Sequence, residues 1–432
     1  MAKRRLKRRI RRFLFRLRAL LFLLFFVFAI YFFLKLLFVK NYIDSIEYNN
    51  GYINITLTED MECILSSNSP TLNDKWIQSE NKICSLKIDD YKTNIFLKKD
   101  EKIIKNKDTY FEIKENEKVY LSNNEEYNYF YYIIGKQNKI SISIEDTNIA
   151  SLDEEYIIHT KKLGKTKITF KYDDYYYESE LIVTDLLGNR DDYKNKEKLT
   201  CEKFTIEEEK ILDDILKQNI NNVGFKTRAG VVEAARFLAL DFPYRINYFY
   251  ENGRQTTNNV DGEGRYYHVG LYLTEKKIEN LTGSTYTSNK APWGCKIFSY
   301  PINKKDENGL DCSGFVSWAL LNGGFDVKDV GAGWSDKEDL TDFGDVLKLN
   351  ETNSSSEEIK VGDLLHSERL GGHIAIIIGK DDTYYYVAQA IWYDEVGLVV
   401  SKIKKNELYK EFPHAVLMED YYKNDGNLTN MW

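Results

Sequence analysis

The sequence predicts a multidomain chain: an N-terminal transmembrane helix, a β-sandwich stalk and a C-terminal domain that contains both helices and strands. Three observations indicate this fold class: a basic stretch that runs into an apolar one, a long Tyr- and Ile-rich region of short alternating segments, and a C-terminal part that mixes helical and strand patterns. The predicted boundaries are 1–18 for a basic cytoplasmic tail, 19–40 for a transmembrane anchor, 41–104 for a β-rich segment, 105–186 for a second β domain, 187–203 for a linker and 204–425 for the C-terminal domain.

The first 40 residues predict a membrane anchor. They contain 12 Lys or Arg and no acid, and the apolar run "ALLFLLFFVFAIYFFLKLLFV" covers residues 19–39. At a rise of about 1.5 Å per residue this run spans roughly 31 Å, enough to cross a bilayer core. Because basic residues favour the cytoplasmic side, we expect a single-pass cell-membrane protein whose remaining residues lie outside. A cleaved signal peptide and a nucleic-acid-binding arm are the alternatives.

Charge and cysteine spacing narrow the choice of partners and cofactors. The formal net charge is −7 although the N-terminus is strongly basic, so the rest of the chain is acidic and nucleic acid is not expected as a partner. The five cysteines form no CxxC and the five histidines form no HExxH, so we expect no metal and no cofactor. Outside the cytoplasm disulfides are possible. Cys63 and Cys84 are the best candidates, while Cys295 either pairs with Cys201 or stays free.

The stalk is predicted from short alternating runs such as "GYINITL", "KISISIE" and "ESELIVT". Its second part contains a "DTNIA" stretch at 146–150, "GKTKIT" at 164–169 and "LIVT" at 181–184. This order resembles the bacterial Ig-like domain, group 2, which implies a spacer or adhesive module on a bacterial surface. The polar stretch "LLGNRDDYKNKEK" predicts the linker, and a capping box of Thr205 with Glu208 predicts a helix after it.

Cys312 is a candidate nucleophile because of its position before an apolar helical run. The stretch "DCSGFVSWALLNGG" has apolar residues at helical spacing and ends in two glycines. Asp311 suits the N-cap position, which places Cys312 in the first helical turn. There the helix dipole is expected to favour a thiolate over a thiol. A buried structural cysteine is the alternative.

A thiolate nucleophile needs a base, and His373 is the candidate. It follows two glycines and begins the apolar run "HIAIIIG", a predicted strand. The next predicted strand, "TYYYVAQAIW", contains Gln389. If the two strands pair as a hairpin, Gln389 contacts the far ring nitrogen of His373 and selects its tautomer. A structural histidine and an outward-facing glutamine are the alternatives. His366, in the preceding strand, is expected to be a neighbour of the site and not its base.

The order "DCSGFV", "VGDLL", "GGHIAIIIG" and "YYYVAQA" resembles the NlpC-type cell-wall peptidases, which are cysteine peptidases with a reduced papain-like α+β fold. The resemblance covers residues 227–420. It implies that Cys312 is the nucleophile, His373 the base and Gln389 the third polar residue of the catalytic set.

The same resemblance places Tyr244, in "LDFPYRI", near the oxyanion site, with Ser313 lining the cleft and Asp311 beside it. This part of the chain departs from the family pattern. Glycines that usually follow the "PY" pair are absent, and 68 residues separate Tyr244 from Cys312. That insertion is a candidate lid or specificity wall.

Together these features predict a membrane-anchored peptidoglycan hydrolase with an extracellular catalytic domain. Its expected partners are peptidoglycan stem peptides and, through residues 19–40, the membrane. The resemblance implies cleavage of the amide bond between D-glutamate and the diamino acid. A muramyl amidase or a transpeptidase with the same dyad is one alternative, and a catalytically silent wall-binding or adhesion protein is the other.

Overall fold

The structure, a computed structural model, divides into two compact units, one ending at Asp108 and the other covering Thr109–Trp432. It describes residues 42–49, 52–87, 92–106, 110–113, 117–128, 130–134, 140–154, 156–249, 269–278, 291–299, 304–328, 330–332, 339–368, 372–392 and 396–432.

The first unit is built from short antiparallel strands. β1 pairs with β2 and β2 with β5, while β3 pairs with β4 and β6, and β6 with β7. Alternate residues of β2 are buried, as a strand with one covered face requires. The predicted disulfide between Cys63 and Cys84 is present and joins β3 to β5. The strands are β1 (Ile43–Asn49), β2 (Tyr52–Leu57), β3 (Glu62–Ser66), β4 (Ile77–Gln78), β5 (Ile83–Lys87), β6 (Lys92–Lys99) and β7 (Lys102–Lys105).

The second unit begins with a two-layered β structure. One layer has the strand order β12-β15-β16-β9 and the other β10-β14-β13, and β8 pairs with β11. The two layers share an apolar core that includes Val119, Ile158, Phe170 and Leu181. Its strands are β8 (Tyr110–Ile113), β9 (Lys118–Ser122), β10 (Glu126–Asn128), β11 (Phe130–Ile134), β12 (Ile140–Ile144), β13 (Ala150–Leu152), β14 (Ile157–Thr160), β15 (Gly164–Tyr172) and β16 (Tyr175–Thr184).

The predicted linker packs against the C-terminal part of the same unit instead of forming a free spacer. The Arg190 guanidinium binds the buried carboxylates of Asp241 and Glu233. The Lys196 ammonium donates to three backbone carbonyls of the segment 239–242. Cys201 forms a disulfide with Cys295, the pairing that the sequence left open. Two of the charges in the predicted linker, those of Arg190 and Lys196, are therefore satisfied by partners distant in sequence.

The C-terminal part combines helices with a six-stranded sheet. The predicted capping box of Thr205 and Glu208 is confirmed at the start of α1. The helices are α1 (Ile206–Val223), α2 (Arg228–Arg236), α3 (Glu275–Ile278), α4 (Cys312–Asn322), α5 (Leu408–Glu411) and α6 (Glu419–Tyr422), with a π-helical turn at Phe237–Asp241 and 3₁₀ turns at Arg190–Asn195, Leu340–Phe343 and Lys405–Glu407.

The strands of this part follow the same chain order. They are β17 (Asn247–Tyr248), β18 (Lys296–Ser299), β19 (Lys304–Glu307), β20 (Gly309–Leu310), β21 (Asp345–Lys348), β22 (Leu364–Ser367), β23 (His373–Lys380), β24 (Tyr384–Ile391), β25 (Gly397–Lys404) and β26 (His414–Leu417). The six-stranded sheet has the order β21-β26-β22-β23-β24-β25 and all its pairs are antiparallel.

Both faces of this sheet are covered. Even-numbered residues of β23, from Ile374 to Ile378, join the core that contains α2 and α4. Odd-numbered residues of the same strand, such as Ile377, join a second core with Tyr385 and Phe412. Because side chains alternate along a strand, β23 is packed on both of its faces. Its first residue, His373, therefore lies at the end of a rigid element.

The predicted fold class is corrected by these observations. Most of the regular structure is strand, arranged in several separate sheets, and helices are few. The predicted combination of a transmembrane helix with an α+β papain-like domain is therefore wrong. Alternating aromatic and β-branched runs continue into the C-terminal part and form its six-stranded sheet.

The predicted membrane anchor, 19–40, lies outside the described residues. Within the described part of the chain, no helix is long and apolar enough to cross a membrane. The described part of the chain therefore gives no support to the single-pass cell-membrane localisation, with its extracellular catalytic domain, that was predicted from the apolar run.

Candidate active site

Cys312 is the first residue of α4, as the sequence predicted. The Asp311 carboxylate caps the helix and accepts the backbone N–H of Gly314 at 2.7 Å. The side chain of Cys312 is buried, with 9% of the residue exposed. The other four cysteines form disulfides, so Cys312 carries the free thiol.

The start of α4 is positioned by a close approach of two backbone segments. β20, which leads into the helix, pairs in parallel with β17, and Gly309 lies opposite Asn247. A Cβ atom at Gly309 would lie 1.9 Å from the Asn247 carbonyl oxygen. Only glycine fits this contact without a shift of the backbone, so Gly309 helps to fix where Cys312 lies.

The environment of Cys312 favours the neutral thiol. Burial raises its pKa to about 12, and the negative charge of Asp311 acts in the same direction. Backbone N–H groups of Ile374, Ser313 and Cys312 itself point at the sulfur and oppose this rise. Burial therefore opposes the thiolate that the helix dipole is expected to favour, because a charged sulfur loses its hydration at this position.

His373 and Gln389 form the predicted contact. β23 and β24 pair as an antiparallel hairpin, and the Nε2 atom of His373 lies 2.7 Å from Oε1 of Gln389. The Gln389 amide nitrogen donates to the Ser401 hydroxyl at 2.8 Å. Because the amide nitrogen is occupied there, its oxygen faces His373. The imidazole therefore carries its hydrogen on Nε2 and keeps its lone pair on Nδ1.

The His373 ring is also held by an aromatic neighbour. It stacks on Phe412, with ring centroids 6.0 Å apart and planes 25° from parallel. Burial lowers the pKa of His373, the Gln389 hydrogen bond raises it, and the nearby His366 lowers it. At neutral pH the imidazole is therefore unprotonated and can accept a proton.

One backbone group connects the nucleophile to the base. Ile374 follows His373 directly in β23, and its N–H points at the sulfur of Cys312. The thiol and the imidazole therefore lie at the same corner of the fold, where the start of α4 packs against the first residues of β23. This corner is the candidate active site, defined by Cys312, His373 and Gln389.

The structure places the remaining predicted site residues as follows. Ser313 is buried and its hydroxyl donates to Asp311 at 3.2 Å, so it supports the helix cap, and its role in lining a cleft stays a prediction. The Tyr244 ring packs against Phe204 and Phe242. These contacts do not bring Tyr244 to the thiol, and its role at the oxyanion stays a prediction.

His366 occupies the neighbouring strand, as expected, and it is not arranged as the base. It is buried, its Nε2 atom lies 3.2 Å from the Ala332 carbonyl oxygen, and burial lowers its pKa. Among the residues described, no group of three His, Cys, Asp or Glu side chains could hold a metal ion.

Sequence reasoning missed two residues that support the imidazole, Ser401 and Phe412. Ser401 lies in a polar and apolar alternation that predicts an ordinary strand, and Phe412 lies between the short helix α5 and a proline. The sequence around each residue does not indicate a role in the site, because only the folding of the sheet brings them close to Gln389 and His373. Ile374 was assigned to a buried strand, but the use of its N–H depends on the packing of α4.

Comparison with known proteins adds no family assignment. A scan against protein-family models gives no match. A search of curated protein sequences gives no match either. The resemblance to cell-wall peptidases therefore stays a prediction from the motifs.

Proposed function

We propose that this chain is a cysteine peptidase that cleaves an amide bond in peptidoglycan stem peptides. The observation that carries the proposal is the free thiol of Cys312 beside the first residues of β23, where His373 is bound through Nε2 to Gln389. A nucleophile, a base and a group that orients the base form the arrangement needed for acyl transfer.

The first step is transfer of the thiol proton to Nδ1 of His373. Both groups are neutral at rest, since burial raises the thiol pKa and lowers that of the imidazole. The resulting thiolate attacks the carbonyl carbon of the substrate, and a sulfur–carbon bond forms. The charge that arises on the imidazole is stabilised by the Gln389 oxygen that accepts from Nε2.

Negative charge on the attacked oxygen needs hydrogen-bond donors. The N–H groups at the start of α4 have no carbonyl partner within the helix, and those of Cys312 and Ser313 point toward the sulfur. They are available to the oxyanion once the sulfur is bonded to carbon. Each donor of this kind contributes about 3–4 kcal/mol to transition-state stabilisation.

Collapse of the tetrahedral intermediate breaks the carbon–nitrogen bond. The leaving amine takes the proton from His373, and a thioester remains on Cys312. Water then attacks the thioester, giving one proton to His373, which returns it to the departing thiolate. The products are a free amine and a carboxylic acid, and the enzyme is restored.

The substrate class is supported by the resemblance of the four motifs to cell-wall peptidases. That resemblance implies the bond between D-glutamate and the diamino acid. A muramyl amidase or a transpeptidase would use the same thiol and imidazole, so the bond has to be identified from the products.

The test is digestion of purified peptidoglycan by the whole chain, with mass spectrometry of the released fragments. We expect the wild type to release peptides, Cys312→Ala to release none, and His373→Ala to be slower by at least about 10²-fold. His159→Ala is the matched control, since His159 lies in the β region and binds Asp153. Its product yield should equal that of the wild type.

The masses of the fragments identify the reaction. Fragments that end in D-glutamate support the proposed bond, whereas free glycan strands indicate an amidase and exchanged peptides a transpeptidase. If the wild type releases nothing and a thiol probe does not label Cys312, the proposal is wrong. Sedimentation of that inactive protein with peptidoglycan would then indicate a wall-binding role.

A further inference from the structure

The Gln389 side chain bridges two neighbouring strands. It lies on β24, with 6% of the residue exposed, between His373 on β23 and Ser401 on β25. In the strand register Ser401 pairs with Val387, two residues before Gln389. Residues two apart on a strand share a face, so Ser401 is the diagonal neighbour of Gln389.

A buried amide needs partners at both ends. Gln389 donates to the Ser401 hydroxyl at 2.8 Å and accepts from His373 at 2.7 Å. If the Ser401 partner is lost, one end of the amide is unsatisfied and its orientation is no longer held from the far side. A rotated amide would present its NH₂ group to Nε2, which then cannot carry hydrogen.

The tautomer of the imidazole determines whether it can act as the base. With hydrogen on Nε2, the Nδ1 lone pair is free to accept the thiol proton. With hydrogen on Nδ1, that lone pair is lost. Because burial raises the pKa of the thiol to about 12, its ionisation near neutral pH needs a base that accepts the proton, and His373 is the candidate.

We propose that Ser401 is a positioning residue for catalysis: through Gln389 it holds the His373 imidazole in the Nε2–H tautomer. Ser401 acts on the imidazole and does not touch the substrate. The catalytic part of this inference rests on the proposed peptidase function, whereas the tautomer part concerns the resting protein alone.

The first measurement is the ¹⁵N NMR spectrum of the His373 ring in the whole chain. We expect the wild type to show the Nε2–H tautomer, Ser401→Ala to show a mixture with the Nδ1–H form, and Ser401→Thr to restore the wild-type spectrum. Threonine keeps the hydroxyl and suits a strand. Lys404→Ala, an exposed position on the same strand, should leave the spectrum unchanged.

The second measurement is steady-state kinetics of peptide release by the same variants. We expect Ser401→Ala to lower kcat by about tenfold with KM unchanged, since a hydrogen bond to a buried group is lost without loss of a substrate contact. Ser401→Thr should recover most of the rate.

The outcomes separate the two proposals. An inactive wild type that shows the Nε2–H form, together with a mixture in Ser401→Ala, overturns the peptidase function but keeps the tautomer control. An active wild type whose tautomer and kcat are both unaffected by Ser401→Ala overturns the role of Ser401. A wild type in the Nδ1–H form also overturns it.

Discussion

At the scale of single residues, two opposing influences act on the ionisation of the Cys312 thiol. Three backbone N–H groups favour the thiolate, while burial and the Asp311 carboxylate oppose it, and the pKa rises to about 12. Asp311 has two effects, because its carboxylate also caps α4. The residue that orders the nucleophile therefore also keeps it neutral until a base accepts its proton.

We expect Asp311→Asn to lower the pKa of the Cys312 thiol. Asparagine is as good an N-cap as aspartate, so the helix start is retained while the negative charge beside the sulfur is removed. The thiolate then forms at lower pH. A pH titration of thiolate absorbance in the ultraviolet measures this shift.

The matched control for this titration is Asp339→Asn. Asp339 caps the 3₁₀ turn Leu340–Phe343 and is not among the groups that act on the thiol. Its substitution should leave the Cys312 titration where it is. A thiol pKa unchanged by Asp311→Asn would show that burial alone keeps the thiol neutral.

At the scale of elements, the segment before α4 fixes the position of the nucleophile. β20 lies against β17 with no room for a side chain at Gly309. Just upstream, the Asn308 side chain donates to backbone carbonyls of Ala291 and Pro292, and the disulfide of Cys295 ties this segment to Cys201. The segment just before α4 thus supports the first turn of the helix.

We expect the double variant Cys201→Ser, Cys295→Ser to lower the free energy of unfolding of the second unit by up to about 4 kcal/mol. The disulfide closes a loop with a sequence separation of 94, and its removal frees that loop in the unfolded state. Trp293 and Trp318 pack against each other close to Cys295, so tryptophan fluorescence during urea denaturation follows this region.

The second disulfide provides the comparison. Cys63 and Cys84 lie in the other unit. The double variant Cys63→Ser, Cys84→Ser should leave the midpoint of the unfolding transition of the second unit unchanged. Equal shifts in the two double variants would contradict the assignment of each disulfide to its own unit.

At the scale of the whole molecule, the second unit extends well beyond the motif-bearing region. The Tyr120 backbone exchanges two hydrogen bonds with the Gln218 side chain on α1, and its hydroxyl donates to Asp214. Arg190 supplies the cation for Glu233 and Asp241, which are both buried. Residues 109–203 therefore complete the packing and charge balance of the C-terminal part.

We expect Arg190→Ala to destabilise the second unit by about 3 kcal/mol. The substitution leaves two buried carboxylates without their nearest cation, and a buried charge that loses its partner is costly. The midpoint of urea denaturation measures the effect. For the same reason a fragment covering 200–432 should unfold at lower urea than one covering 109–432.

Lys167→Ala is the control for the loss of a cation. Lys167 pairs with Glu178 at 3.8 Å on an exposed strand surface, where an ion pair contributes little to stability. The urea midpoint of Lys167→Ala should match that of the wild type.

Equal stability of the fragments 200–432 and 109–432 would contradict the view that 109–203 belongs to the same folding unit as the C-terminal part.

The features that could be predicted from the sequence depend on residues close together in the chain. The capping box of α1, the Asp311 cap of α4 and the contact between His373 and Gln389 across a hairpin are of this kind. Capping and hairpin pairing depend on spacing within one or two elements, so periodicity and turn residues were sufficient to predict them.

Other properties were decided only when distant segments came together. The neutral state of Cys312, the bridge from Ser401 to Gln389 and the packing of 187–203 against Asp241 all depend on burial or on partners that no spacing rule connects. The overall balance toward β structure belongs here too, because strands are stabilised by pairing across the sheet. The local sequence pattern predicted the nucleophile and its base, whereas burial and long-range contacts determine whether these two groups carry a proton.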